Sequence, residues 1–461
     1  MKLKNLFTIL LFLSTTMLSV AQISDDDFTK PLIDVLDDLQ ESYQVRFKYN
    51  VQDFENYELK YADWRLVPGD LEASLKAVLA PFDHIYVKQD QRTYKLKPFQ
   101  YHLVTSEEGS AALDYYTTLY SNKEEWESRK AELRSCFIEA LGLNGLPVVA
   151  NPTTVISKIR KYAGYTVENI GLETIPGYYV TGSIYKPEKI KGRVPVILSP
   201  NGHFGDGRYN KDIQTRAAGL AKMGAVVVTY DLFGWGESAQ EVGSQSHRKS
   251  IAQTIQINNG LKLLDYLLAQ KYADPSRVGI TGGSGGGSQT MLIAAIEDRI
   301  KVSVPTVMTS SFHSGGCPCE SGMGIHLCGG KTNNAEVAAM FAPKPMMIIS
   351  DGGDWTFQVP EVEYPFIKRT YEFYGADDQV ENAHFAREKH DYGPSKRNAM
   401  YEFMASKLGL DLSAIQSGGK IDESGITVEE QELLYVFGNQ AINFPQNAVL
   451  NYDELMNKLN Q

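Results

Sequence analysis

The sequence predicts an α/β fold in which helices flank a mostly parallel central sheet, preceded by a small α+β unit. From about residue 160 onward, short apolar runs alternate with helix-like stretches, which is typical of βαβ units. Each run ends in turn residues, as expected of a buried parallel strand. A parallel sheet presents its functional loops at the carboxyl ends of its strands, so a site is expected there. The predicted strands are VPVILSPNG, AVVVTYD, RVGITGG, KVSVPTVM and PMMIIS.

A length of 461 residues favours more than one structural unit. We predict a signal peptide in residues 1–21 and a small α+β domain in residues 24–100. The α/β domain, expected to be catalytic, covers residues 105–415, and a linker with a helical tail covers residues 416–461. In the small domain, PLIDVLDDLQESY and DLEASLKAVLAPF have the apolar periodicity of helices.

The first residues have the pattern of a secretory signal peptide. Lys2 and Lys4 precede an apolar run, and Ser19, Val20 and Ala21 supply small residues at a cleavage site. A membrane anchor is the alternative, but the run is shorter than a bilayer span and polar residues interrupt it. No later stretch is apolar enough to cross a membrane. We therefore expect an exported protein, located in the periplasm or outside the cell.

The charge balance argues against a polyanionic partner. The formal net charge is −11, whereas phosphate binding needs clustered lysines and arginines. We expect no nucleic-acid partner.

The segment RVGITGGSGGGSQTMLIAAI indicates a nucleophile elbow. A strand runs into Gly282-Gly283-Ser284-Gly285-Gly286, followed by an apolar helix, which matches G-x-S-x-G in its strand–turn–helix setting. A phosphate-binding loop is the alternative, but it requires a Gly-Lys-Ser/Thr sequence that is missing here. The motif and its setting therefore predict an α/β-hydrolase fold with Ser284 as the nucleophile.

A serine hydroxyl needs a base and an acid that orients the base. In this fold the chain order is serine, acid, histidine. PMMIISDGGDWT offers Asp351 and Asp354, and Asp354 is preferred because it lies beyond the strand end, where Asp351 is expected to cap the turn. His384 and His390 follow, and His390 is preferred because a loop surrounds it, whereas His384 is expected to end a strand.

The oxyanion donors are expected from two turns. Gly285 follows the nucleophile, and His203 follows Gly202 in the loop after an early strand, so their backbone N–H groups are the candidates. Trp235 and Trp355 are candidates for substrate contact, although packing is the alternative for Trp235.

The cysteines leave two interpretations open. Cys317, Cys319 and Cys328 crowd one segment, CPCESGMGIHLC, while Cys136 stands apart. With His326 the cluster could suggest zinc, but the usual C-x2-C spacing is missing. We favour free thiols, or a disulfide between Cys328 and either Cys317 or Cys319, and expect no metal.

Two resemblances follow from these motifs. The order of elements in residues 24–100, with the helix LEASLKAVLAPFD, resembles the short N-terminal domain of secretins and TonB-dependent receptors. This resemblance implies a partner in the cell envelope. Residues of about 130–412 resemble bacterial acetyl-xylan-esterase-like α/β-hydrolases. The segments that carry this second resemblance are GHFGDG, YDLFGWGES, GITGGSGGGSQT, GGCPCE, AMFAPKPMMIISDGGDWT, EVEYPFIKRTYEFYGA and HDYGPSKR.

The second resemblance implies a Ser284–His390–Asp354 triad that removes acetyl or other small acyl groups, with carbohydrate as the expected carrier of the ester. No cofactor is required for this chemistry. The glycines after Ser284 also resemble those of prolyl-oligopeptidase-like peptidases, but residues 24–100 are too short for the gating domain of that family. A catalytically silent envelope-binding protein is the remaining alternative.

Overall fold

The computed structural model describes residues 28–82, 84–98, 103–204, 206–321, 323–439 and 443–460. The predicted signal peptide, residues 1–21, lies outside the described residues. The chain divides into two compact units, with the boundary after Tyr101. Among the described helices, none has both the length and the apolar character needed to cross a membrane.

The N-terminal unit has a core of its own, built mainly from two amphipathic helices and short strands. The buried face of its first helix is formed by Leu32, Val35, Leu36 and Leu39, as the periodicity predicts. Asp70 caps the third helix by accepting a hydrogen bond of 2.9 Å from the Ala73 N–H. The helices are α1 Leu32–Tyr43, α2 Ala62–Arg65 and α3 Leu71–Leu79, and the strands are β1 Thr29–Pro31, β2 Arg46–Lys48, β3 Glu58–Lys60, β4 His84–Lys88 and β5 Thr93–Pro98.

The second unit is built around one large sheet. Within the described residues this sheet has ten strands in the order β15-β14-β13-β12-β10-β11-β9-β8-β6, with β7 also paired to β8. These strands are β6 Thr154–Ile156, β7 Arg160–Tyr162, β8 Tyr165–Ile175, β9 Tyr178–Pro187, β10 Val194–Leu198, β11 Val226–Tyr230, β12 Ala273–Gly283, β13 Val302–Thr306, β14 Met346–Asp351 and β15 Val380–Phe385. A further hairpin, β16 Gln416–Ser417 with β17 Lys420–Ile421, follows the sheet.

Strand direction divides the sheet into two parts. The strands from β15 to β11 run parallel, whereas β9, β8, β7 and β6 join them as an antiparallel extension. The chain leaves β10 for β11 on one side and returns to β12 on the other, and ligands bind in the crevice that such a reversal opens. This architecture confirms the predicted α/β-hydrolase fold with a mostly parallel central sheet.

Helices cover both faces of the sheet. Residues of β10 alternate between the two cores: Ile197 packs against the side of α6 and α13, whereas Val196 and Leu198 pack on the opposite side. The near-continuous apolar sequence VPVIL is therefore the mark of a strand buried on both faces. The helices of this unit are α4 Ser106–Thr117, α5 Lys123–Ala140, α6 Lys211–Lys222, α7 Ser238–Val242, α8 Ala252–Leu268, α9 Gly285–Ile296, α10 Pro318–Ser321, α11 Asn334–Ala339, α12 Glu363–Glu372, α13 Pro394–Leu408, α14 Gln431–Leu434 and α15 Tyr452–Leu459.

The segment after Gln416, predicted to begin as a linker and to continue as a helical tail, is bound to the rest of the second unit through residues 429–437. Glu429 receives two hydrogen bonds, of 2.7 and 2.8 Å, from the Arg160 guanidinium. Glu237, fully buried, accepts bonds from the backbone N–H groups of Val436 and Phe437. Buried polar bonds of this kind hold residues 429–437 in place.

We expect Glu237→Ala to lower the free energy of unfolding by about 3–5 kcal/mol, because it leaves two backbone donors and part of the buried Arg208 charge without their acceptor. Urea unfolding monitored by circular dichroism measures the loss. Glu432→Ala, at an exposed position of the same C-terminal segment, is the control and should change the value by less than about 0.5 kcal/mol. Equal effects of the two substitutions would contradict the role given to Glu237.

Candidate active site

Ser284 occupies the turn between β12 and α9. Its backbone has φ 56° and ψ −124°, in the region that side-chain-bearing residues rarely adopt. The surrounding bonds hold it there: its N–H donates to the Thr306 carbonyl at 3.1 Å, and its carbonyl accepts from Gly287 and Ser288. Such a conformation costs on the order of 1–3 kcal/mol and is found mainly at functional sites. The strand–turn–helix setting that the motif predicts is therefore present.

The glycines on either side of Ser284 are required by close packing. A Cβ atom at Gly282 would lie 2.6 Å from the carbonyl oxygens of both Pro200 and Gly286. A Cβ atom at Gly286 would collide with the same Pro200 oxygen. The turn can therefore approach the loop after β10 only because these positions lack a side chain.

His390 and Asp354 form a hydrogen-bonded pair. The distance from His390 Nδ1 to Asp354 Oδ2 is 2.6 Å, and the Asp354 side chain is only 2% exposed. The other carboxylate oxygen accepts from the backbone and hydroxyl of Thr356 at 2.6 and 2.5 Å, which fixes its orientation. The pair leaves the second ring nitrogen of His390 as the group able to exchange a proton with a substrate or a nucleophile.

Ser284 and His390 line one cavity of about 420 Å³ at the carboxyl ends of the parallel strands. His203, Trp235 and Trp355 line the same cavity, so the structure brings five of the predicted site residues together. A serine and a histidine that share a cavity, with a buried carboxylate bonded to the histidine, are the groups that serine-based acyl transfer requires.

The two predicted oxyanion residues lie on either side of Ser284. Gly285 is the first residue of α9, and the loop that carries His203 passes so close that a Cβ at Gly202 would be 3.0 Å from the Ser284 Cβ. Both backbone segments are therefore next to the hydroxyl. The His203 imidazole lies against Gly285 and faces His247, with 2.9 Å between the Nε2 atoms of the two histidines.

The two predicted tryptophans contact histidines of the cavity wall. The Trp355 ring lies 4.4 Å from the His390 ring and 4.3 Å from the His313 ring, measured between centroids. Trp235 lies 5.5 Å from His203. Each tryptophan therefore both packs and presents a surface to the cavity.

His384 and Asp351, the alternatives that were not preferred for the triad, have other partners. His384 lies in β15, and its Nδ1 is 2.9 Å from the Ser350 hydroxyl. Asp351 accepts from the Gly353 N–H at 3.0 Å and pairs with the buried Lys396 ammonium at 3.0 Å. Both side chains serve the packing at the end of β14 and β15.

Six residues of the cavity wall were not predicted. They lie on loops or, like Glu320 in α10, in short helical turns rather than directly after a predicted strand, so the positions of the strand ends do not predict them. The only sequence signals were the segments SQSHRKS and GGCPCE, in which histidine, cysteine and acidic residues adjoin glycine or serine. The six are His247, Arg248, His313, Gly316, Cys317 and Glu320.

Burial shifts the ionisation of two groups in the wall. Desolvation, together with the neighbouring His247, lowers the pKa of His203 to about 4, so its imidazole is neutral at pH 7. Desolvation raises the pKa of Glu320 to about 7, against the opposite effect of backbone N–H groups from Gly316 and Cys317. The wall therefore carries less charge than its residue types suggest.

The predicted cysteine pairing is wrong. Cys328 is bonded to Cys136, 192 residues away, with 5.8 Å between the Cα atoms. This bond joins α5 to the segment that follows α10, a contact that no local pattern reveals. The structure pairs the sulfur atoms of Cys317 and Cys319 with each other.

His326 does not join the cysteines either. Its Nε2 lies 3.1 Å from the side-chain oxygen of Asn334. The group of described residues that could hold a metal is instead His203, His247, Cys317 and Cys319.

Comparisons with known proteins agree with this architecture. The chain is similar to the solved structure of Methylesterase BT1017, with 47% identity and a TM-score of 0.77, over 95% of this chain and 97% of that chain. The model of the prolyl oligopeptidase family matches residues 211–310.

Two further similarities are more distant. A Bacteroides fragilis protein described as a candidate acetyl xylan esterase has 17% identity and a TM-score of 0.47, over 60% of this chain and 80% of that chain. The Bacillus subtilis (strain 168) protein YtaP, whose name describes it as a hydrolase, is 28% identical over 149 residues. That match covers 29% of this chain and 48% of YtaP, so the chain spans about half the length of this curated relative.

We expect Asp354→Asn to lower kcat for ester hydrolysis by roughly 10³–10⁴, because the amide cannot stabilise the charged imidazole or hold its tautomer. Steady-state kinetics and a thermal unfolding curve should show the loss without a matching loss of stability. His384→Gln, in the neighbouring strand, is the control and should stay within about threefold of the unsubstituted protein. A larger loss in the control than in Asp354→Asn would contradict the assignment.

We expect Gly202→Ala to reduce kcat by roughly 10²–10³, since the new methyl group would push the loop away from Ser284 and displace the predicted oxyanion donor. Gly145→Ala, where a Cβ meets nothing within 4 Å, is the matched control. Kinetics with one aryl acetate measure both. Unchanged kcat in Gly202→Ala would show that this loop does not contribute to the site.

Proposed function

Because this chain belongs to the family of Methylesterase BT1017, we propose that it is a serine esterase that removes small ester groups from carbohydrate. One observation carries the proposal: Ser284 and His390 line the same cavity, and Asp354 holds the far side of the His390 ring. The strained turn at Ser284 supports its assignment as the nucleophile, since strain of this kind persists where function requires it.

The proposed reaction is acyl transfer in two steps. His390 takes the proton from the Ser284 hydroxyl, the serine oxygen attacks the ester carbonyl, and the N–H groups of Gly285 and His203 stabilise the oxyanion. The alcohol leaves with the proton from His390, and an acyl-enzyme remains. Water, deprotonated by His390, then attacks the acyl-enzyme and releases the acid and the serine.

A methyl ester of a sugar acid is the first candidate substrate. In that reaction methanol leaves and the sugar acid is held on Ser284, so the cavity must accept the sugar. Two indole surfaces in the wall, Trp235 and Trp355, are suited to the apolar faces of sugar rings, and Arg248 is suited to a carboxylate of the same chain of sugars. The name of the 47% identical relative supports this choice.

An acetyl ester on carbohydrate is the second candidate, supported by the sequence motifs that resemble acetyl-xylan-esterase-like hydrolases. Here the acetyl group is held on Ser284 and the sugar is the leaving alcohol. The two candidates differ in their small product, which is methanol in the first case and acetate in the second.

We also propose that the protein is exported and that its N-terminal unit binds a partner in the cell envelope. The charged and apolar pattern of residues 1–21 supports export. The separate core of the N-terminal unit supports a separate role.

A fluorophosphonate probe tests the nucleophile. The unsubstituted protein should be labelled on Ser284, Ser284→Ala should lose at least 99% of the label, and Ser288→Ala, one turn further along the helix, should keep it. Absence of label from the unsubstituted protein would favour a catalytically silent binding protein.

A substrate panel tests the ester class. Methanol release from methyl-esterified oligouronides, acetate release from acetylated xylan oligosaccharides and amine release from aminoacyl amides are measured side by side. We expect kcat/KM for one of the two esters to exceed that for the amides by at least about 10²-fold. Faster cleavage of the amides would instead support a peptidase, as the matched prolyl oligopeptidase model allows.

A further inference from the structure

We propose that His203, His247, Cys317 and Cys319 form a zinc site in the wall of the cavity that contains Ser284. The four potential ligand atoms lie within 4.8 Å of one another. The Nε2 atoms of the two histidines are 2.9 Å apart. His203 Nε2 is 3.1 Å from the Cys319 sulfur and 3.3 Å from the Cys317 sulfur, and His247 Nε2 is 3.5 Å from the Cys317 sulfur.

The donor set and its dimensions suit zinc. Two thiolates and two imidazoles form one of the common structural zinc sites, with four ligands in a tetrahedron. Zinc–nitrogen distances of about 2.0–2.1 Å and zinc–sulfur distances of about 2.3 Å place tetrahedral ligand atoms roughly 3.3–3.8 Å apart. The observed nitrogen–sulfur distances of 3.1, 3.3 and 3.5 Å overlap this range. The histidine–sulfur geometry therefore fits an ion with small shifts, whereas the two sulfur atoms, which the structure pairs with each other, must first be released from that bond and move apart to the spacing of tetrahedral ligands.

The surroundings orient the ligands as a metal site requires. His247 Nδ1 lies 2.7 Å from the Phe233 carbonyl oxygen, so this nitrogen carries the hydrogen and Nε2 presents its lone pair to the sulfurs. The side chain of Gln256 donates to the Cys319 carbonyl at 3.1 Å and holds the start of α10. Cys317, Cys319 and His247 are all buried, so little of these three ligands is open to solvent.

A site with four protein ligands leaves no open position, so its role is to fix structure rather than to activate water. His203 belongs to the loop after β10, His247 precedes α8, and the cysteines flank Pro318 at the start of α10. The ion would join these three segments of the cavity wall. The loop after β10 also carries the proposed oxyanion donor, so zinc is expected to affect catalysis. That effect rests on the proposed function, whereas the binding of zinc does not.

Zinc binding requires both cysteines in the reduced form. Each thiol gives up one proton to solvent as its sulfur binds the ion, so two protons are released for each zinc bound. A Cys317–Cys319 disulfide is the competing state, and it cannot supply two thiolates. The number of free thiols therefore distinguishes the reduced, zinc-binding state from the disulfide state.

The test begins with the protein purified without chelators or thiol reagents. Elemental analysis should find about one zinc per chain, and the denatured protein should contain two free thiols, because Cys136 and Cys328 are bonded to each other. Cys319→Ser and His247→Ala should each retain less than a tenth of the zinc. His326→Ala is the matched control, since this histidine lies in the same segment outside the cluster, and it should retain all of the zinc.

A second measurement covers the case in which the ligand variants fail to fold. Zinc is removed from the unsubstituted protein by dialysis against a chelator and replaced by Co²⁺, which should give the visible bands of a tetrahedral ion and a near-ultraviolet thiolate-to-cobalt band. Loss of zinc should lower kcat at least tenfold and its return should restore it. Zinc-free protein without free thiols, or zinc content unchanged in both ligand variants, would overturn the proposal.

Discussion

In the turn that carries Ser284, two parts of the chain approach so closely that a single methyl group would not fit between them. The carbonyl oxygen of Pro200 lies against Gly282 on one side of the serine and against Gly286 on the other. The loop after β10 is therefore placed directly beside the nucleophile turn after β12. The relative positions of the serine, the oxyanion candidates and the cavity depend on this contact, which is made where two neighbouring parallel strands end.

The other residues around the cavity come from several parts of the chain. Asp354 follows β14 and His390 follows β15, so adjacent parallel strands deliver the acid and the histidine to the same edge of the sheet. The opposite wall is made by loops that hold His203, His247 and the two neighbouring cysteines. The sheet thus positions the reacting groups, and contacts between loops determine the shape of the space around them.

The fold and much of the candidate site could be predicted because their signals are local. Alternating apolar runs located the strands, the G-x-S-x-G turn located Ser284, and the chain order of this fold led from there to Asp354 and His390. The predicted serine hydrolase agrees with the family to which the chain belongs. The partner of Cys328 could not be predicted, because it depends on which distant segments contact each other. That partner, Cys136 in α5, lies 192 residues earlier in the chain. His247 and Glu320 were missed for the same reason.

The hydrogen bonds to residues 434–437 bear on the order in which parts of the enzyme form during its synthesis. The buried guanidinium of Arg208, five residues after His203, donates to the Leu434 carbonyl. Glu237, two residues after Trp235, accepts from the backbone N–H groups of Val436 and Phe437. Both anchors adjoin the cavity wall, yet their partners lie about 200 residues later in the chain. A nascent chain can form the sheet and the serine turn before residues 434–437 are synthesised, but its cavity wall acquires these supports only afterwards.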